Sequence, residues 1–147
     1  MERLKMRVLI DNRQNNHKIS PDMVQKKAQA ILNALDCPDG ELSILIVNDS
    51  QIEALNKQYL NRSGHTNIIA FPMQEGEFAN ISPQLLGDVV ISVETAHQEG
   101  INAGISMEER FIQLLIHGIL HLFGYDHETT EQEALKMEKK SEELMNL

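Results

Sequence analysis

FIQLLIHGILHLFGYDH, residues 111–127, decides how this chain folds. Apolar side chains run nearly all round it, so a helix here has no face suited to water and belongs in the middle of the molecule. Ser106 and Glu109 stand ahead of it in the S-x-x-E order of a capping box, and Gly124 offers the left-handed residue that ends helices. Three of the chain's six histidines, His117, His121 and His127, lie in or just beyond this apolar helix. Buried polar groups without partners cost free energy. Either each imidazole finds its own hydrogen bond, or one shared partner collects all of them.

The spacing favours the shared partner. His117 and His121 are four residues apart, on one helical face, close enough for two ring nitrogens to meet one ion at about 2.0–2.1 Å each. On an unbroken helix, His127 would lie about 9 Å farther along the axis and point elsewhere. A reversal at Gly124, through Tyr125 and Asp126, returns His127 to the pair. Three histidines without a cysteine resemble a catalytic zinc site with one position left for water, because structural sites usually take four protein ligands. Nickel or another divalent transition ion also accepts imidazole.

The same spacing occurs in the metzincin proteases, H-E-x-x-H-x-x-G-x-x-H, but Gly118 stands where those enzymes carry their general-base glutamate. Peptide hydrolysis is therefore disfavoured. The glycine is expected to leave room beside the helix for a bulkier anionic substrate such as a phosphodiester.

Outward from this helix, the pattern alternates strands and helices. A first strand covers 6–12. Ser20 caps a helix with Pro21 at its first position, running to about Leu35. A strand at 41–48 precedes a helix capped by Asp49 or Ser50 and ending near Leu60. Strands are expected at 66–72 and 85–93, separated by a loop. The helix opening at 94 ends at Gly100 or Gly104. The tail forms an amphipathic helix with Ala134, Leu135, Met137, Leu144 and Met145 as its inner face. The order β-α-β-α-β-β-α-α-α predicts a single α+β domain over 1–147: a small mixed four-stranded sheet packed with about five helices, the metal-bearing helix at its centre.

Composition fits an ordinary globular chain, with 41% hydrophobic and 24% charged residues. No apolar run approaches the roughly 20 residues that span a bilayer. The first residues lack a secretory leader's apolar centre, and the single Cys37 excludes an internal disulfide, so a cytoplasmic protein without membrane contact is expected. The net charge of −9 argues mildly against a general nucleic-acid coat, although residues 1–28 carry seven basic side chains against three acidic ones. His17, His65 and His97 read as ordinary polar residues.

The segment HGILHLFGYDH closely resembles the H-G-x-L-H-L-x-G-Y-D-H signature of the YbeY family of bacterial rRNA maturation factors. Two further blocks agree, LNKQYLNRSGHTNIIAFP at 55–72 and GDVVIS at 87–92, and the likeness covers roughly 41–147. The resemblance implies a metal-dependent endoribonuclease acting on single-stranded RNA, with a role in small-subunit rRNA 3′-end maturation and ribosome quality control. It implies zinc held by His117, His121 and His127. Partners would be single-stranded rRNA and the small ribosomal subunit, with a ribosomal protein and an assembly GTPase as further candidates.

Many members carry a phosphate-binding arginine directly after the tyrosine of the second block, where this chain has Leu60. Arg62, two residues on, is the candidate replacement, because a guanidinium matches phosphate oxygens. His65 stands where proline is common. Asp126 is a candidate to orient a ligand imidazole or to cap the turn. Asp88 is a candidate to support the same cleft or to end a strand ladder, and Tyr125 to pack in the turn. The alternative function is a non-enzymatic, metal-stabilised assembly factor.

Overall fold

The computed structural model describes residues 7–73, 84–125 and 130–147. Four strands, β1 (Val8–Asn12), β2 (Glu41–Val47), β3 (Ile68–Pro72) and β4 (Leu85–Ser92), form one sheet in the order β1-β2-β4-β3. The first three in that order run parallel, and β3 pairs antiparallel to β4 at one edge. Among the described residues there are five helices: α1 (Pro21–Ala34), α2 (Asp49–Leu60), α3 (Val93–Ala103), α4 (Met107–Leu122) and α5 (Glu131–Met145). Element order and the mixed four-stranded sheet agree with the reading of the sequence.

Period-two alternation divides the sheet between two cores. Leu42, Ile44 and Ile46 of β2, with Val89 and Ile91 of β4, join the main core under α1, α3, α4 and α5. Val47 and Val90 turn the other way, where Ile52 of α2 and Ile69 of β3 complete a smaller cluster. From Phe111 onward α4 is apolar nearly all round because it is enclosed: it packs on β3 and β4 and is flanked by α1, α3 and α5. Phe111, Leu115, Ile116, Ile119 and Leu120 are each at most 1% exposed.

Several boundaries moved for local reasons. The α2 cap is Asn48, not Asp49 or Ser50. Its side chain accepts from the Gln51 amide at 2.9 Å, and Gln51 Oε1 accepts from the Asn48 amide at 2.8 Å, a reciprocal box. Asp49 instead ties α2 to α3, accepting from Ser92 Oγ at 2.5 Å and Thr95 Oγ1 at 2.6 Å. Of the two glycines proposed to end α3, Gly104 does so with φ 73°, while Gly100 lies inside the helix, close against the Ile105 carbonyl. On α5, Met137 and Leu144 are buried as expected, but Leu135 is 63% exposed. It sits two positions from Met137, on the far side of the helix. Part of the basic N-terminal segment is neutralised locally, since Arg7 pairs with Asp39, Arg13 with Asp11 and Lys26 with Asp22.

Candidate metal centre and substrate cleft

The site is built on the last turns of α4. Ser106 Oγ opens that helix by accepting from the Glu109 amide at 3.0 Å. At the other end, the Gly124 amide donates to the His121 carbonyl and the Tyr125 amide to the Leu120 carbonyl, each at 3.0 Å. This crossed pair is a Schellman termination, and Gly124 supplies its left-handed residue with φ 92°. The chain therefore turns where the sequence placed the turn, one helical turn past His121.

His117 and His121 are brought together. Their Nε2 atoms approach to 3.0 Å, and the rings stand at 75° with centroids 4.6 Å apart. Two nitrogens bound tetrahedrally at about 2.0–2.1 Å would sit about 3.3 Å apart. The observed convergence is within a few tenths of an ångström of that value. With one Nε2 protonated, the contact is an N–H···N hydrogen bond. With both lone pairs turned inward, the same pair fits a cation. Among the described residues, no three His, Cys, Asp or Glu side chains gather around one point. His127 and Asp126 lie outside the described residues.

The pair lies in a cleft of about 870 Å³ between α4, the edge strand β3 and the loop after α2. Arg62, Ser63, Thr66 and Asn67 line the wall formed by that loop, and Tyr125 lines the cleft beside Gly124. No carboxylate is present among the described lining residues, although the chain as a whole is acidic. Arg62 shares the cleft with both histidines, and so does Leu60, which is 38% exposed.

Asn56, which sequence reasoning passed over, holds the loop that carries Arg62. It is only 5% exposed. Its carbonyl accepts from the Asn61 and Arg62 amides, and its Nδ2 donates to the Gly64 carbonyl at 3.2 Å. A second brace comes from α3, where Glu99 accepts from Asn67 Nδ2 at 3.3 Å and from Arg110 Nε at 3.0 Å. An asparagine in a helical stretch is weak evidence on its own, so only the folded contacts reveal this part.

Two expectations need correction. Gly118 lines the cleft, but the space a side chain would need there is filled. A Cβ there would lie 2.6 Å from Ile68 Cδ1 and 2.8 Å from Val89 Cγ1, so the glycine lets α4 pack directly on the sheet. Gly118→Glu should therefore restore no protease. It forces a side chain into Val89, whose branched carbon cannot swing away, and brings a carboxylate into a packed interface. We expect a loss of at least about 3 kcal/mol in chemical denaturation and no peptide turnover. A stable variant would show that the interface yields.

Asp88 is the second correction. It faces away from the histidines and lines a groove on the opposite side of the sheet, as alternation with the inward Val89 requires. The other histidines remain ordinary. His17 stacks on His97 at 4.8 Å, and His65, 53% exposed, lies 3.8 Å from Asp49. Burial first, and then the Asp39 charge, push the Cys37 thiol up, which makes it a poor nucleophile.

The family profile described as Endoribonuclease YbeY matches residues 9–147. The chain belongs to the YbeY family. The Endoribonuclease YbeY of Syntrophotalea carbinolica is 50% identical over 136 residues, covering 92% of this chain and 91% of that protein. That of Geobacter sulfurreducens is 46% identical over 143 residues, covering 97% and 95%. That of Aquifex aeolicus is 41% identical over 145 residues, covering 99% and 91%. The YbeY likeness thus extends well before residue 41, through β1 and α1. The solution structure of TM1509 from Thermotoga maritima shares the fold, with a TM-score of 0.67 at 19% identity over 94% of this chain and 86% of that one.

Proposed function

We propose that this chain is a metal-dependent endoribonuclease that cuts single-stranded RNA during small-subunit rRNA 3′-end maturation and ribosome quality control in the cytoplasm. The approach of His117 Nε2 and His121 Nε2 to 3.0 Å, in a cleft whose described lining lacks carboxylates, carries the reading. His117, His121 and His127 would hold the ion, with zinc preferred and nickel acceptable. When bound, it supplies a Lewis-acid charge for water and phosphate oxygens.

The chain's own residues do the rest. Arg62 offers a planar pair of donors to a phosphate, and Asn56 fixes the loop from which it reaches. Ser63, Thr66 and Asn67 add neutral hydrogen-bonding groups along the same wall. With Gly118 between the two histidines, α4 presents no carboxylate to the cleft to relay a proton to an amine, which matters more for a peptide than for a phosphodiester.

Purified protein should cleave single-stranded rRNA fragments and lose that activity with a chelator. Equal cleavage by wild type and His117→Ala would trace the activity to a contaminating nuclease and remove the proposal. Arg62→Ala should raise KM for RNA roughly 10-fold with a smaller change in kcat, as expected for one charge-assisted contact of about 1.5 kcal/mol. An unchanged KM would take Arg62 out of the site. Leu60, exposed at the position where an arginine is common in the family, favours the second reading, a metal-stabilised assembly factor without turnover. A fourth protein ligand closing the ion would support that reading.

A further inference from the structure

We infer that the groove on the other face of the sheet is a second subsite for the same RNA strand, seating an amino-bearing nucleobase against Tyr59. The inference rests on the RNA reading above. The groove holds about 590 Å³ over an apolar floor of Leu45, Leu55 and Val90. Tyr59 and Phe71 line it, and Asp88, Ser43 and the paired Asp11 and Arg13 supply polar groups.

Tyr59 is 61% exposed, unusual for a ring in a chain with 4% aromatic residues. It is not loose, because its ring meets the Phe71 ring edge to face with centroids 5.8 Å apart. An exposed, buttressed aromatic is the platform on which single-stranded RNA stacks a base.

Continuity with the metal cleft selects RNA as the occupant. Tyr59 is followed directly by Leu60, and Phe71 lies between Ala70 and Pro72; all three of those neighbours line the cleft. The end of α2 and the edge strand β3 therefore form a shared wall, with the histidines on one side and Tyr59 on the other. A strand crossing that wall meets both.

The polar groups indicate which bases fit. Asp88 lines the groove, and its carboxylate has no hydrogen-bond or ion-pair partner among the described residues. A carboxylate accepts and does not donate, so it matches the exocyclic amino group of adenine, cytosine or guanine; uracil offers it one ring N3–H, flanked by two carbonyl oxygens that repel it. Arg13 lines the same groove, its Nε held by Asp11 at 2.8 Å, and its other guanidinium donors can meet the backbone phosphate.

The test uses the full chain with short 2′-O-methyl oligoadenylate, oligocytidylate and oligouridylate, which resist cleavage. The protein has two tyrosines and no tryptophan, so in a Tyr125→Phe background the emission is that of Tyr59. Oligoadenylate and oligocytidylate should quench it and bind more tightly than oligouridylate. Tyr59→Ala should weaken oligoadenylate binding roughly 10-fold, within the range for one stacked base, while Tyr59→Phe stays within about 2-fold of wild type. Asp88→Asn, which adds a donor, should reduce the preference over oligouridylate, a change that a purely structural role would not produce. If RNA is bound and cleaved, but Tyr59 emission and Tyr59→Ala affinity are unchanged, the groove belongs to another class of ligand and the inference falls alone. If wild type neither binds nor cleaves RNA, the functional proposal falls and takes the inference with it.

Discussion

His121→Ala is expected to empty the proposed metal centre and stop the proposed RNA cleavage while the protein stays folded. The ring projects from the last turn of α4 to meet His117, 3.0 Å away between Nε2 atoms, and it is only partly buried. Its loss removes one of three proposed donors. Residues that merely orient metal ligands typically cost 10–100-fold in affinity or activity when mutated, so losing a donor itself should cost about 100-fold or more. The core of α4, from Phe111 to Leu120, does not depend on this side chain, so the unfolding midpoint of the metal-free variant should match that of metal-free wild type. Metal analysis after dialysis and a cleavage assay would check both halves. A variant that retained a full equivalent of zinc would place the ion elsewhere.

Gly87→Ala is expected to cost more stability than alanine at any other described glycine. Gly87 lies in β4 with φ 136°, a conformation that residues with a Cβ rarely adopt. A Cβ there would meet the Phe71 carbonyl oxygen at 2.1 Å, and that atom is backbone on the paired strand, so it cannot rotate aside. Backbone strain alone is of order 1–3 kcal/mol, and separating the strands adds to it, so a total above about 3 kcal/mol is expected. Against a typical domain stability of about 5–15 kcal/mol, this threatens folding. The function would suffer as well, because Gly87 pairs with Pro72 and β3 is one wall of the cleft. Urea unfolding provides the check; a change below about 1 kcal/mol would mean that the strands separate more easily than their packing suggests.

Much of this arrangement was legible before any coordinates. Helix α4 announced itself by an apolar surface that only burial could satisfy. The histidine pair and Gly124 were legible because both depend on spacing along one helix. What remained hidden depends on contacts between elements. Alternation along β4 places Asp88 opposite Val89, but it cannot say which face α4 will cover. Gly118 read as open space because the sequence does not show Ile68 and Val89 closing over it. Asn48, Asp49 and Ser50 are all good helix caps, and only the reciprocal bond with Gln51 selects the first. Leu135 was placed inside by its apolar character, and helical geometry put it outside.

Anomalous diffraction at the zinc edge, from crystals of zinc-loaded full-length protein, tests the central claim most directly. The account expects one strong peak within bonding distance of His117 Nε2, His121 Nε2 and a nitrogen of His127, with a position left open to solvent. No peak between these rings at full zinc loading, or His127 directed away from the other two, would contradict it.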